Sequence, residues 1–158
     1  MEIAERISDI IKSAPTPEQG AELALGAILE ETATTSGTVH LIPRGGQMMD
    51  LLAAREIPPG VLDKVRVIPI GKGMAGVAVE KRQPVTTCNL QEDDAGGVIR
   101  QGARPTGVQG ALAVPIIVDG EAIGALGVAT REPRDFTRPE IDAILAMATA
   151  LGRALRAR

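Results

Sequence analysis

The chain has 158 residues, of which 44% are hydrophobic and 23% are charged, with a formal net charge of −3. This length fits one domain and is sufficient to bury a core. The single Cys excludes an internal disulfide, and the N-terminus lacks the apolar segment of a signal peptide. Because no apolar stretch approaches the roughly 18 residues of a membrane span, we expect a cytoplasmic location and no membrane partner.

Charge and aromatic content argue against a nucleic-acid partner. Duplex binding needs clustered cations on a surface, but Arg153, Arg156 and Arg158 cluster at the end of a predicted helix, where they suit the helix dipole. Single-strand binding needs aromatic rings for stacking, and the chain has one Phe and neither Trp nor Tyr. We expect no nucleic-acid partner, and one His with one Cys cannot form a structural zinc site.

Two helices are predicted first. The first apolar residues recur at helical spacing: Ile3, Ile7, Ile10 and Ile11. They predict an N-terminal helix over residues 1–14. A second helix follows, with Thr16 as its cap, Pro17 at the first helical position and Gln19 completing a capping box. Gly37 is expected to end it.

Four strands are predicted next, at 37–43, 47–57, 65–70 and 83–90. A turn at 44–46 joins the first two strands into a hairpin. Residues 58–64 form a loop or short helix, and 74–82 a short helix. Pro84 lies near the start of the fourth strand, which predicts that this strand lies at an edge of the sheet.

The second half contains a long irregular segment, a hairpin and a helix. Residues 91–110 have no periodicity, so we expect a functional or mobile loop with one short helix near Val98. Strands at 111–118 and 121–130 flank Asp119-Gly120, a typical type I′ turn. Thr137 and Glu140 form a second capping box at the start of the last helix, with Phe136 spaced to meet Ile141. Consecutive hairpins with helices on one side predict an α+β fold.

Gly71, Gly73 and Gly76 have the G-x-G-x-x-G spacing of a dinucleotide-binding loop. That fold requires a long helix and then a parallel strand, and a parallel crossover takes a dozen or more residues. Here the next strand begins near Pro84, only about eight residues after Gly76. The glycines therefore predict a sharp turn from strand to helix, with Gly76 allowing the helix to pack closely.

Three segments together resemble the GAF domain family: VRVIPIGKGMAGVAVEKRQPV, ALAVPIIVDGEAIGALGVAT and DFTRPEIDAILAMATALGRAL. The resemblance implies one GAF/PAS-like domain over 1–158, with an N-terminal helix at 1–14, a core at 15–150 and a C-terminal helix at 138–158. It also implies an antiparallel sheet of five to six strands. The terminal helices pack on one face, and loops and short helices roof a ligand pocket on the other.

As GAF domains are mostly sensory or regulatory, the resemblance implies a module that binds a small molecule. Binding would order residues 91–110 and bias helix packing in a homodimer formed by the first and last helices, with a separate effector protein as possible partner. An alternative is a ligand-free dimerisation module whose pocket is filled by its own side chains.

A second alternative is an enzyme similar to free methionine-(R)-sulfoxide reductase. That branch carries Cys where this chain has Ala75, and acids where it has Ala111, Gly127 and Ala129, so we expect no catalytic residues. Bilin attachment through Cys88 and haem ligation by His40 are likewise disfavoured, and we expect no cofactor and no metal site.

Candidate ligand-binding residues lie in or beside the irregular segment or on the following hairpin: Thr86, Thr87, Cys88, Arg100, Arg104, Gln109, Val114, Ile116 and Gly127. Arg100 and Arg104 would meet a carboxylate or phosphate. The wall would be aliphatic, with Ala113 and Ile117 as alternates to Val114 and Ile116. Gly127, which lacks a side chain, would either admit a helix closely or leave room for a ligand. The identity of the ligand cannot be read from the sequence.

Overall fold

The computed structural model describes residues 2–88 and 107–158 of the chain. The six strands within those residues are β1 (Ser36–Leu41), β2 (Met48–Arg55), β3 (Val67–Pro69), β4 (Val85–Thr87), β5 (Ala111–Val118) and β6 (Glu121–Ala129). The five helices are α1 (Ile3–Ser13), α2 (Pro17–Thr32), α3 (Pro59–Lys64), α4 (Gly73–Lys81) and α5 (Arg138–Arg156). The strands pair antiparallel in the order β3-β2-β1-β6-β5-β4. The predicted α+β fold is confirmed, with β4 at an edge.

Helices α1, α2 and α5 cover one face of the sheet. The cluster that joins them to the strands contains these fully buried side chains: Ile7, Ile11, Leu25, Ile28, Val39, Val114, Ile116, Leu126 and Leu151. Burying a side chain of this size contributes about 1.5–3 kcal/mol relative to leaving it exposed. This layer is therefore the main hydrophobic core, and the prediction that the terminal helices share one face is confirmed.

Gly37 lies inside β1 and does not end α2, so that expectation is wrong. Helix α2 ends at Thr32, and Ala33 takes the left-handed backbone conformation with φ of 55°. A Cβ at Gly37 would lie 2.7 Å from the Gly127 carbonyl oxygen and 3.1 Å from the Leu25 side chain. The glycine is required mainly because the backbone of the neighbouring strand β6 lies so close, and the Leu25 side chain of α2 occupies the remaining space.

One of the two predicted capping boxes is complete. At α5, the Thr137 hydroxyl accepts from the Glu140 N–H at 3.3 Å, and the Glu140 carboxylate accepts from the Thr137 N–H at 2.8 Å. The Thr137 N–H is the main reason why the pKa of Glu140 is lowered. At α2, the Thr16 hydroxyl accepts from the Gln19 N–H at 3.1 Å, while the described residues show no reciprocal bond from the Gln19 side chain.

The glycine motif forms the predicted turn from strand to helix. Gly71 and Gly73 have positive φ values of 92° and 68°, which side chains disfavour. A Cβ at Gly76 would lie 2.5 Å from the Pro69 carbonyl oxygen, so this residue lets α4 pack against the end of β3. The third strand is shorter than predicted because Val65 still belongs to the C-terminal cap of α3.

Arg134 links the end of α2 to the start of α5 within the helical layer. Its Nη1 donates to the Thr32 and Ala33 carbonyl oxygens at 2.9 and 3.1 Å. Its Nη2 donates to the Glu140 carboxylate at 2.6 Å, and its guanidinium lies 4.4 Å from the centre of the Phe136 ring. One side chain thus satisfies free carbonyls at the end of α2 and orders the start of α5.

We expect Arg134→Ala to lower the free energy of unfolding by about 2–3 kcal/mol, because partly buried hydrogen bonds from a charged donor are lost. Urea unfolding followed by far-UV circular dichroism measures this. The matched control is Arg138→Ala, which removes an ion pair to Asp142 from a side chain that is 79% exposed. The control should change stability by less than about 0.5 kcal/mol. Equal losses in the two variants would contradict the role given to Arg134.

Candidate functional site

We call the face of the sheet opposite α1, α2 and α5 the distal face. Strand pairing places its side chains in rows that cross the sheet. The first row contains Thr87, Ala111, Ala129 and Ser36. The second contains Val85, Ala113, Gly127, Thr38 and Ala54. The third contains Pro115, Ala125, His40 and Leu51. Most of these side chains are small, so the surface they form is shallow.

Part of the distal face is not fully covered. Helix α4 packs on it where Val79 meets Ala125, and Val108 packs over Ala129. In the second row, however, Thr38, Ala54 and Gly127 remain half-buried although all three lie on inner strands. A residue in the middle of a six-stranded sheet retains exposure only where nothing packs closely above it. Among residues 2–88 and 107–158, nothing packs closely above Ala54, Thr38 and Gly127, and we call this part of the second row the floor of a shallow trough.

A polar stripe runs along the central strand on this face. Alternate residues of a strand point to the same side, so Ser36, Thr38 and His40 all belong to the distal face. Ser36 is 3% exposed and His40 is 1% exposed. Among the described residues, neither Ser36 Oγ nor His40 Nδ1 has a hydrogen-bond partner. Buried polar atoms are rarely left unpaired, and an unpaired one calls for an explanation.

The other ring nitrogen of His40 is well placed. Its Nε2 lies 2.7 Å from the Val65 carbonyl oxygen, at the end of α3. Burial lowers the pKa of His40 below its ordinary value of 6.5, and the Val65 carbonyl and the Asp50 carboxylate oppose this shift in part. The ring is therefore neutral at pH 7, and β1 uses it to hold α3 beside the trough.

Some of the predicted site residues lie on the distal face. Gly127 is at the centre of the trough, and a Cβ there would lie 3.1 Å from Thr38 Oγ1. Thr87 is buried in the first row. Thr86 pairs with Leu112 and is therefore on the helical side, where its hydroxyl donates to the Ala111 carbonyl.

The predicted wall residues Val114 and Ile116 are not at the trough. Both side chains belong to the core beneath α5, because their positions on β5 alternate with the distal residues. The alternate Ala113 is on the distal face, where it pairs with Gly127 and is 3% exposed. That part of the prediction is corrected by the register of β5.

The remaining candidates lie at or beyond the ends of the strands. Cys88 is exposed, and its carbonyl accepts from the Arg134 N–H at 3.0 Å. The Gln109 N–H donates to the Thr130 carbonyl at 2.8 Å. Arg100 and Arg104, with the helix expected near Val98, lie outside the described residues. Sequence reasoning missed Ser36 and treated His40 as an ordinary sheet residue, although the alternation of polar residues at 36, 38 and 40 was available as a signal.

Two further clefts border the sheet. One of about 360 Å³ lies between Glu56 and Arg131, at the end of the sheet nearest Ser36. Another of about 620 Å³ lies at the opposite end, beside the β5–β6 turn. Two of its arginines are already engaged: Arg82 donates to the Gly120 carbonyl, and Arg156 pairs with Glu121. The trough, with its unpartnered groups, is the stronger candidate for a binding site.

Residues 2–88 and 107–158 contain neither a metal site nor a membrane-spanning helix. No group of three or more His, Cys, Asp or Glu side chains there could hold a metal ion. No helix in those ranges is long and apolar enough to cross a membrane.

We expect His40, the single His of the chain, to titrate below pH 6.5. The lowered pKa means that the unfolded chain binds a proton where the folded chain does not. The contribution of His40 to stability is therefore complete above about pH 7.5 and decreases as the pH falls through about 6.5. Proton NMR of the ring Hε1 measures the midpoint directly, and a midpoint at or above 6.5 would contradict the buried, neutral ring.

Comparison with known proteins gives a family match and a set of similar folds. A GAF domain model matches residues 14–156, and a search of curated proteins found no match. The GAF domain of a phosphoenolpyruvate-protein phosphotransferase from Coxiella burnetii has a TM-score of 0.79 at 21% identity, covering 98% of this chain and 91% of that one.

Two other solved structures have related but distinct descriptions. Free methionine-R-sulfoxide reductase from Neisseria meningitidis, in complex with its substrate, has a TM-score of 0.77 at 17% identity, covering 99% of this chain and 87% of that one. A domain described as part of a two-component sensor histidine kinase from Sinorhizobium meliloti has a TM-score of 0.71 at 19% identity, covering 90% and 93%. Identities this low establish a shared fold alone. Because the family model spans most of the sequence, the chain belongs to the GAF domain family.

Proposed function

We propose that this protein is a sensory or regulatory module that binds a small molecule in the distal-face trough. GAF domains are in general such modules. The observation that carries the proposal is the row formed by Thr38, Ala54 and Gly127, small residues on inner strands that keep part of their surface exposed. A shallow surface of this kind in the middle of a sheet is available for contact with a ligand.

The proposal is for a non-catalytic module, as GAF domains typically are, although some structural neighbours are reductases. Ala111, Gly127 and Ala129 all lie on the distal face, where the reductase branch is expected to carry acids. These positions supply no carboxylate to hold an amino group. We expect no turnover of free methionine sulfoxide in a thioredoxin-coupled assay.

Signalling is part of the same proposal. Binding would order residues 91–110, most of which lie outside the described ranges, and bias the packing of the helical layer in a homodimer. A separate effector protein would receive the output. Within one chain the helical layer is closely packed, since Ile7, Ile11 and Leu151 are fully buried there.

We expect Gly127→Leu to abolish ligand binding, because an isobutyl group at the centre of the floor fills the trough. Native mass spectrometry of the purified protein detects a bound molecule as a mass that denaturation removes. The wild type should carry such a mass, or gain one with a metabolite extract, and the variant should not. Ala143→Leu, at an exposed position on α5, is the matched control and should bind normally. A bound mass retained in Gly127→Leu would contradict the trough as the site.

The proposed homodimer needs a surface that is still available, and α2 provides one. Of the described large apolar side chains, Leu23, Met48 and Val67 are exposed. Leu23 is 54% exposed and lies on the helical layer, beside a groove that also contains Ile10 and Ala27. The expected interface was the first and last helices, but their apolar faces are buried within one chain. We therefore propose the exposed side of α2, beside α1, as the dimer contact instead.

We expect Leu23→Ser to weaken the dimer by at least tenfold, since a central apolar contact is lost. Sedimentation velocity over a concentration series measures the dissociation constant. Met48→Ser removes an exposed apolar side chain on β2 and should leave the dimer unchanged. A monomeric wild type at all concentrations would refute the dimer, and equal effects of the two substitutions would refute this location for it.

A further inference from the structure

We infer that the dimer contact on α2 is formed around a pair of ion pairs between copies, in which the Arg55 guanidinium of each copy binds the Glu30 carboxylate of the other. This inference rests on the proposed dimer, because it describes the chemistry of the surface that we place between the two copies. The partner that fits this surface is a second copy of the chain, related to the first by a two-fold axis.

The head group of Arg55 is held against the helical layer. Arg55 is the last residue of β2, and α2 packs beside that strand. A Cβ at Gly26 would lie 2.9 Å from Arg55 Nη2 and 3.2 Å from Arg55 Cζ. A side chain at position 26 would therefore displace the guanidinium, and the glycine leaves the space that this group occupies. An arginine confined in this way loses less conformational freedom when it binds a partner.

The guanidinium of Arg55 has hydrogen-bond donors to spare. The carboxylate that approaches it, Glu22, has its Oε1 at 3.9 Å from Nε, which is too far for a hydrogen bond. Nε is buried, but the side chain as a whole is 38% exposed. Within residues 2–88 and 107–158, neither Nη1 nor Nη2 donates a hydrogen bond. The outward end of the guanidinium is therefore open to a carboxylate from outside the chain, which is the acceptor that its fork of N–H groups fits best.

A groove beside Arg55 supplies the rest of the contact. It has a volume of about 390 Å³ and lies between α1, α2 and the end of β2. Its apolar lining contains Ile10, Leu23 and Ala27, and its charged lining contains Arg6, Glu30 and Arg55. Leu23 is 54% exposed. An exposed leucine next to an unengaged arginine combines the apolar contact and the charge-assisted hydrogen bond that stable protein interfaces contain.

The charges of the groove indicate a second copy as its occupant. Glu30 lies one helical turn after Gly26, and its carboxylate forms no ion pair among the described residues. The groove therefore presents an unengaged acid and an unengaged base. In a two-fold interface the same patch meets itself, so the pair between Arg55 and Glu30 is made twice. An acidic peptide would instead be repelled by Glu22 and Glu30, and a basic peptide by Arg6 and Arg55.

Charge reversal tests the pairing with two variants, Arg55→Glu and Glu30→Arg. Each variant alone should self-associate at least tenfold more weakly than the wild type, because both pairs in its homodimer become like-charged. Mixed in equal amounts, the two variants should form a one-to-one heterodimer, since both of its pairs again join an arginine to a glutamate. Sedimentation velocity measures the homodimers, and native mass spectrometry identifies the heterodimer by its mass.

Arg44→Glu is the matched control, because it makes the same reversal at an exposed position on the turn between β1 and β2. It should dimerise as the wild type does and should not restore wild-type association to Glu30→Arg. Circular dichroism checks the folding of each variant. If Arg55→Glu does not fold, Arg55→Gln and Glu30→Gln provide a second test. Each should weaken the dimer, and the double substitution should weaken it no further, since both changes remove the same two pairs.

The outcomes separate the inference from the proposed dimer. A dimer that Leu23→Ser weakens but that both charge reversals leave intact would overturn the ion pairs and keep the contact on α2. Weakened variants that do not associate with each other when mixed would also overturn the ion pairs, because the two side chains then do not meet. A wild type that is monomeric at all concentrations would contradict the dimer and the inference together.

Discussion

The structure depends on the difference in side-chain size between the two faces of the central strands. On β1, β5 and β6, residues facing the helices are large and apolar, such as Val39, Val114 and Leu126. Their neighbours on the other face are small, such as Thr38, Ala113 and Gly127. The strict alternation of a strand makes these two sets independent. One set provides the stability of the fold, and the other leaves the open surface that a binding module requires.

Much of the fold was predictable because its signals are local. The Asp119-Gly120 turn, the capping box at Thr137 and the glycine turn at 71–76 each depend on a few adjacent residues. Gly37 was misinterpreted for the opposite reason. Helices commonly end at a glycine, but here the requirement comes from the close approach of the β6 backbone to Gly37, which sequence spacing does not contain.

The site was less predictable than the fold. Of the candidate residues, Gly127 and Thr87 lie on the distal face, whereas Val114 and Ile116 lie on the helical face, because register decides which alternate residues face the helices. His40 and Ser36 stand out once their burial is known, together with the absence of hydrogen-bond partners for His40 Nδ1 and Ser36 Oγ among the described residues. Residue type alone cannot distinguish a satisfied histidine in a sheet from an unsatisfied one, since the difference lies in the positions of Val65 and of the residues around Nδ1.

Arg134 has a consequence beyond stability. Its backbone N–H holds the Cys88 carbonyl just after edge strand β4, and its guanidinium holds the end of α2 and the cap of α5. These bonds, between 2.6 and 3.1 Å long, all belong to one residue. Arg134 therefore connects the chain after the edge strand directly to two elements of the helical layer.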